Sequence, residues 1–305
     1  MFLLKRFVKK LNSLGQELVP YEKQGTLEKY KDAGIPPNSL LNLIKINSSF
    51  IELVDSGYQW SGILSAICIP TAIFFIYLPL STLATDIQPQ DAWYEIAITI
   101  VIDLLMGSLG LILGLFVFAE YFHYTYYPVR FNRLNRMVYV FRVNGSVMEA
   151  PWDEIHFYRT PNQSGMYDAA YLGGCWMEKD GKTVRERFQF GTQCEQDEGA
   201  LAQWEFIRHY MEHGPQDLID DVQVCMPIVG KKESYLAGLE RISAHFGGWL
   251  RIIMFPFSFY VSLWRWLSTR THKVPVWPKE VEDACVIDPN DPYVKDSRIN
   301  PEHLQ

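Results

Sequence analysis

Cysteine is scarce in this sequence and follows no metal-binding spacing. The five cysteines contain no C-x-x-C pair, and an odd total leaves one of them without a disulfide partner. These absences argue against a disulfide framework and against a zinc knuckle. We therefore expect free thiols in a reducing compartment. The five are Cys68, Cys175, Cys194, Cys225 and Cys285.

The sequence also lacks an excess of positive charge and the signatures of common enzymes. The net charge is -7, whereas nucleic-acid-binding domains concentrate lysine and arginine on one face, so we expect no nucleic-acid partner. There is no G-x-S-x-G elbow, Walker loop or dinucleotide fingerprint, and the sequence predicts no cofactor. Basic residues between Lys5 and Lys10 interrupt the first apolar residues, so we expect no cleaved secretory signal.

Charge is absent from one long interval and nearly absent from another. No charged residue lies between Asp55 and Asp86, and only Asp103 is charged between Glu95 and Glu120. Both intervals exceed the ~20 apolar residues with which a helix crosses a bilayer. The sequence therefore predicts a membrane protein whose first partner is the lipid bilayer. The predicted element is a helical hairpin at 56–123, with spans at about 58–83 and 96–120.

Basic residues outside the two spans favour one orientation. They occur before the hairpin, at Lys5–Lys10 and Lys45, and after it, at Arg130–Arg136, while the link Asp86–Glu95 carries none. By the positive-inside rule we expect both termini to be cytoplasmic in a bacterial inner membrane. The link is too short to fold into a domain of its own.

The second predicted span contains three residues of interest. Asp103 is an ionisable residue in an apolar helix, which marks either an ion path or a polar lock. We prefer the lock, because the spans offer no lysine, arginine or histidine to relay a proton; the alternative is an oligomeric channel or transporter that uses Asp103. Gly110 and Gly114 form a small-x-x-x-small step that allows close packing within the hairpin or in a homo-oligomer.

After the hairpin the sequence alternates apolar and polar residues, which is typical of antiparallel strands. Asn144-Gly145 and Asp180-Gly181 predict tight hairpin turns, and the first suits a type I′ turn. A helical pattern follows Thr192 and ends at Gly214-Pro215. The expected fold class is therefore α+β: a transmembrane hairpin followed at 124–216 by a small antiparallel β-sheet domain closed by a helix, the plan of pleckstrin-homology-like domains.

Three segments resemble an uncharacterised family of bacterial two-pass inner-membrane proteins. They are Tyr127–Gly145, Pro151–Ile155 and Arg208–Pro215. Members of that family are often encoded near type VI secretion effectors. The resemblance implies an immunity or accessory role with a secreted effector as the protein partner.

Five residues of the β-sheet domain are candidates for interaction with a partner: Trp152, Asp153, Glu154, Arg133 and Arg136. Asp153 and Glu154 could also serve as an acid and base pair, but in a W-D-E-I setting one carboxylate commonly caps a turn while the apolar neighbours enter the core.

His209 and His213 are spaced to share a metal, yet no further histidine or cysteine lies close in sequence. We expect no metal and no catalytic residue. The favoured function is a non-enzymatic, membrane-anchored binding protein, and a lipid-active enzyme is the alternative.

Two amphipathic regions flank the predicted hairpin and the β-sheet domain. Leu3–Leu14 places apolar residues on one face and cations on the other. Gly247–Leu267 is apolar but contains Arg251 and Arg265, and an interfacial or re-entrant helix suits it better than a third span, which would carry cations outward. Packing on the soluble domain is the alternative for both.

The remaining predicted regions are a cytosolic N-terminal region at 1–55, a membrane-associated region at 217–272 and an extended tail at 273–305.

Overall fold

The computed structural model describes residues 17–85, 92–160, 170–194, 197–228, 230, 232–244 and 246–302. The predicted N-terminal amphipathic segment and most of the link between the two spans lie outside the described residues. The described chain divides into two compact units. We call residues 17–59, 124–237 and 274–302 the sheet unit, and residues 60–123 and 238–273 the helical unit.

Within the described residues, the sheet unit contains eight strands in two antiparallel sheets. The sheet orders are β1-β2-β3-β4-β5 and β6-β7-β8, so neighbouring strands are consecutive in the chain. The predicted α+β class with an antiparallel sheet is confirmed. The strands are β1 (Leu43–Ile46), β2 (Phe50–Leu53), β3 (Val129–Asn132), β4 (Met137–Phe141), β5 (Val147–Pro151), β6 (Ile155–Arg159), β7 (Ala170–Met177) and β8 (Val184–Cys194).

The first sheet joins residues from both sides of the predicted membrane hairpin. β2 pairs with β3 in one continuous register, from Phe50 opposite Asn132 to Leu53 opposite Val129. The sequence predicts a β-sheet domain that begins only at residue 124, whereas β1 and β2 precede the hairpin. Each of these two strands has four residues, too few for a reliable alternation signal. The apolar hairpin is therefore inserted in the chain between two neighbouring strands.

The turn between β4 and β5 forms where Asn144-Gly145 predicts it, but with different geometry. Gly145 has a φ of +84°, whereas Asn144 is not among the residues with positive φ. A type I′ turn needs positive φ at both residues, so the prediction of that type is wrong. The amide of Gly145 donates to the carbonyl of Arg142 at 2.9 Å, and the Asn144 side chain accepts from the amide of Ser146 at 3.1 Å. The loop is a type I turn followed by a left-handed glycine.

The predicted helix after Thr192 is present and closes the core of the sheet unit. It ends at Gly214, which has a φ of +98° and donates its amide to the carbonyl of Tyr210 at 3.0 Å. Its apolar residues join those of both sheets in one buried cluster. The helices are α1 (Pro20–Gln24), α2 (Ile63–Thr85), α3 (Trp93–Tyr121), α4 (Asp197–His213), α5 (Tyr235–Ser243), α6 (Leu250–Ile253), α7 (Phe255–Thr271) and α8 (Lys279–Ala284).

Where the sequence predicts an extended tail, the structure has helix α8 and specific contacts to the sheet unit. Asn132 donates to the carbonyl of Ala284 at 2.8 Å, and Lys295 pairs its backbone with that of Ile46 at 2.9 and 3.0 Å. The Asn300 amide nitrogen donates to the carbonyl of Cys225 at 2.6 Å. Single polar groups hold this C-terminal segment on the sheet unit. Because such contacts need no periodic pattern of apolar residues, the sequence does not reveal them.

The helical unit contains two helices that are long and apolar enough to cross a membrane. The apolar stretches are Tyr58–Ala84 and Trp93–Phe118, of 27 and 26 residues. Only 28% and 11% of their most apolar windows are buried. The core helix of a soluble protein is mostly buried, so these helices differ from one in their exposed apolar surface.

Candidate functional site

Asp103 lies between the two long helices of the helical unit. Its residue exposure is 7%, and the hydroxyl of Thr82 donates to its Oδ2 at 2.6 Å. Because Thr82 belongs to α2 and Asp103 to α3, this hydrogen bond joins the two helices. A polar group in apolar surroundings is costly unless it is paired, and here the pair acts as a polar link within the hairpin.

The two glycines of the small-x-x-x-small step have different surroundings. A Cβ atom on Gly110 would lie 2.8 Å from Cγ1 of Ile76 and 3.1 Å from the carbonyl oxygen of Ala72. A Cβ atom on Gly114 would meet nothing within 4 Å. Gly110 therefore allows α3 to approach α2, whereas the space beside Gly114 is open to a side chain.

Replacing Gly110 with alanine should destabilise the packing of α2 against α3 by about 1–3 kcal/mol, because overpacking forces neighbouring atoms to shift. Gly114→Ala is the matched control, and it should leave the stability unchanged or raise it by up to about 1 kcal/mol, because alanine favours the helix more than glycine does. Thermal unfolding in detergent, followed by helical circular dichroism, measures both. Equal effects of the two substitutions would contradict the difference in packing.

The buried side of α7 is largely polar, although the sequence of that stretch is mainly apolar. α7 packs on α2 in the opposite direction, since Arg265 lies against Gly62 while Tyr260 donates its hydroxyl to the carbonyl of Ala66 at 2.8 Å. The exposed side of α7 is apolar instead, as at Phe255 and Phe259. Five polar residues on the buried side have exposures of 1% or less: Ser258, Ser262, Arg265, Ser268 and Thr269.

Two contacts between α7 and the first part of the hairpin fit local features of that chain, a proline within α2 and a glycine just before it. Pro70 has no amide hydrogen, so the carbonyl of Ala66 lacks its usual helical donor, and Tyr260 supplies one from α7. At Gly62, with a φ of +86°, a Cβ atom would lie 2.4 Å from the Cα of Arg265, so this close approach requires glycine. The Arg265 Nη1 atom donates to the carbonyl of Ser61 at 3.1 Å.

In the sheet unit, Arg136 and Asp153 lie in one polar cluster. Nη2 of Arg136 lies 2.8 Å from Oδ1 of Asp153 and 3.2 Å from Oε1 of Glu212. The hydroxyl of Tyr30 also donates to Oδ1 of Asp153 at 2.8 Å. The hydrogen bonds from Arg136, reinforced by the one from Tyr30, lower the pKa of Asp153 to about 2. Such a carboxylate is a poor general base at neutral pH, so the cluster is suited to holding the chain in place.

Trp152 and Glu154 are also engaged within the sheet unit. Trp152 is fully buried, its ring stacks on Trp204 at a centroid distance of 5.8 Å, and its Nε1 donates to Glu212 at 3.0 Å. Glu154 accepts a hydrogen bond from Nε1 of Trp176 at 3.1 Å. Trp152 therefore belongs to the core and is not available to a partner at the surface.

Arg133 is a half-buried predicted interaction residue whose charge is not paired within the described residues. Its guanidinium forms no hydrogen bond or ion pair with any residue in the described part of the chain. Its neighbour Leu134, in the same turn between β3 and β4, is 68% exposed. The sequence identifies Arg133 as a candidate but not Leu134, because one leucine in a turn gives no signal of its own.

The histidine pair near the end of α4 does not form a metal site with the residues described. The ring centroids of His209 and His213 are 4.9 Å apart, and Nε2 of His209 lies 3.3 Å from Oδ2 of Asp217. Across the described ranges, no group of three potential ligands is arranged to hold a metal ion. A shallow cleft of about 300 Å³ beside Ser39 and Phe206 contains none of the predicted site residues.

Comparison with known protein families identifies a family of unknown function. The family model described as "Family of unknown function (DUF6708)" matches residues 108–289, from within α3 to just beyond α8. No curated protein and no solved structure matches the chain.

Proposed function

We propose a function for this chain, which belongs to the family of unknown function DUF6708: it is a non-enzymatic binding protein anchored in a membrane by α2 and α3. The observation that carries the anchor is the distribution of polarity in the helical unit. The contact of Thr82 with Asp103 is internal, while Leu104, Leu105 and Leu115 are 65% or more exposed. Apolar groups outside and polar groups inside suit a bilayer as the surrounding solvent.

The orientation follows from the charge of the segments beside the spans. With both termini in the cytoplasm of a bacterial cell, the sheet unit faces the cytosol at the inner membrane. We propose a pleckstrin-homology-like role for this unit, since antiparallel sheets closed by a C-terminal helix form a stable platform for surface turns. Asp103 is engaged with Thr82 within the hairpin, which gives the channel alternative little support.

The surface we assign to the partner is the turn between β3 and β4, at Arg133 and Leu134. An arginine that forms no ion pair within the described part of the chain, beside an exposed leucine, suits an acidic protein surface with an apolar pocket, because arginine is enriched among the residues that carry binding energy at interfaces. The contrast with Arg136 supports this choice, since the guanidinium of Arg136 is held by Asp153 and Glu212. By the family resemblance, we propose a type VI secretion effector as the partner and immunity as the role.

A toxin-challenge experiment tests this function. Cells that lack the gene should become sensitive to the effector encoded beside it, and restoring the chain should protect them. Arg133→Glu combined with Leu134→Asp should abolish protection while the protein stays in the membrane fraction after alkaline extraction. Lys182→Glu, at an exposed position in the turn between β7 and β8, is the matched control and should protect fully.

Other results would separate the parts of the proposal. Unchanged survival without the gene would overturn the immunity role. Full protection by the double variant would overturn the assigned surface. Release of the wild-type protein by alkaline extraction would overturn the membrane anchor.

A further inference from the structure

After α5 the chain comes back to the same position along α2 at which α5 ends. Ile242, in the last turn of α5, packs in one buried cluster with Ala66 of α2 and Val261 of α7. The chain between Ile242 and Val261 therefore leaves the level of Ala66 and comes back to it. A segment that returns to the same level of α2 has not crossed the length of that helix.

The far end of α7 lies at the same end of the unit as the start of α2. Arg265 lies against Gly62 just before α2 begins, and the amide of Lys273 donates at 2.9 Å to the carbonyl of His123, just after α3 ends. The start of α2, the end of α3 and the end of α7 thus meet at one end. If the hairpin crosses a bilayer, this end marks one membrane surface.

The depth of the segment follows from helix geometry. Phe255 is ten residues before Arg265 on α7, which corresponds to about 15 Å along the helix. The hydrocarbon core of a bilayer is about 30 Å thick. The start of α7 therefore lies close to the level of the bilayer midplane when Gly62 lies at the surface.

We propose, on the basis of the proposed membrane anchor, that residues 246–270 form a re-entrant segment whose apolar face contacts lipid acyl chains. It enters from the side where α3 ends, turns near the midplane and returns to the same side. Phe255, Phe259 and Leu263 form its lipid-facing side, with exposures of 49%, 50% and 39%. This surface continues the exposed apolar surface of α2 and α3, which already fits the bilayer.

The charged and polar groups of the segment fit this placement. Arg251 lies in the inserted part, and its ion pair with Glu240 at 2.7 Å reduces the cost of placing an arginine there. Arg270 lies 4.7 Å from the ring centroid of Trp266 at the returning end, where tryptophan and basic residues favour the interface. The serine hydroxyls of α7 lie on its buried side, away from the lipid-facing residues.

Depth-dependent fluorescence quenching tests the re-entrant arrangement in proteoliposomes. In a Cys194→Ser background, cysteine would replace Phe255, Phe259 or Leu263 and carry a small fluorophore, with labelling of the background subtracted. Lipids with a quencher near the head group, midway along the chain or at its end report depth. We expect the greatest depth at Phe255, and a decrease of about 6 Å for each step of four residues.

Leu104→Cys on α3 is the control that separates this inference from the anchor itself. A quenched probe there, together with equal shallow depths at the three α7 positions, would show a helix lying on the surface and would overturn the inference alone. No quenching at the α7 positions would show that protein covers this face, and it would also overturn the inference while leaving the anchor intact. A probe on Leu104 that no lipid quenches would overturn the proposed anchor.

Sidedness separates re-entry from a third span. Ala244→Cys and Thr271→Cys lie before and after the inserted part, and both positions are exposed. A membrane-impermeant maleimide should label both from the same face of sealed vesicles. Labelling from opposite faces would show a complete crossing and would overturn the re-entrant arrangement.

Discussion

Replacing Glu52 with alanine is expected to lower the free energy of unfolding of the sheet unit by about 3–5 kcal/mol. Oε2 of Glu52 accepts hydrogen bonds from Nη2 and Nε of Arg130 at 2.7 and 3.0 Å. The two residues are 6% and 4% exposed. Removing the carboxylate leaves a buried guanidinium with Glu282 as its remaining acidic contact, at 3.2 Å, and the Glu282 side chain is 53% exposed.

The surroundings of Arg130 make this loss hard to relieve. Its guanidinium carbon lies 4.2 Å from the ring centroid of Phe50 and 4.8 Å from that of Trp277. These rings cover both the charge and the stem, so the side chain cannot turn to solvent without opening the core around it. The expected loss reflects an unpaired buried charge rather than the worth of the original pair.

Glu178→Ala provides the control for a surface ion pair. Glu178 and Arg185 are 4.0 Å apart, with side chains 47% and 55% exposed, and we expect an effect below about 0.5 kcal/mol. Denaturant unfolding in detergent, followed by near-ultraviolet circular dichroism of the buried aromatic residues, compares the two variants. Equal midpoints for Glu52→Ala and Glu178→Ala would contradict a buried pair at Glu52.

This ion-pair network also shows why the sheet unit cannot be cut out as one continuous segment. Glu52 precedes the apolar hairpin, Arg130 follows it, and Glu282 comes from the C-terminal region. A fragment limited to residues 124–216, the predicted extent of the β-sheet domain, would lack both acidic partners of Arg130. The apolar hairpin is therefore connected to the sheet unit by the chain at both of its ends.

The parts of the fold that the sequence predicts are those with long, regular patterns. The two apolar helices and α4 extend over many residues, so length and periodicity identify them. β1 and β2 are four residues each, and the C-terminal segment is held by single contacts such as that of Asn300 with Cys225. Pairing between distant segments has no local signature, so these elements could not be placed from the sequence.

The sequence also identifies part of the candidate site and misses the rest. The sequence identifies Asp103 because a charge in an apolar span is rare, and it identifies Arg133 through its position after the hairpin. It could not show that the serines of α7 face α2, because the apolar majority of that stretch hides which side is buried. The same limit applies to Trp152, which is apolar enough for either a core or an interface.

Trp152→Ala is expected to cost about 3–5 kcal/mol of stability, since it removes a fully buried indole from the centre of the core. Its ring lies 4.6 Å from that of Phe157 and 6.0 Å from that of Phe131, measured between centroids, in addition to the stack with Trp204. The substitution also removes the hydrogen bond that Nε1 donates to Glu212. The cavity and the lost hydrogen bond both lower the stability of the folded protein.

Stability and protection from the toxin, measured on the same variants, distinguish a core role of Trp152 from an interaction role. Trp152→Ala should lower the denaturation midpoint strongly, and Trp152→Phe should fall between it and the wild type because most of the ring volume is kept. Leu134→Ala, at an exposed position, should leave the midpoint within error while weakening protection. If Trp152→Ala instead kept the wild-type midpoint and lost protection, Trp152 would belong to the partner surface, and its burial in the core would be contradicted.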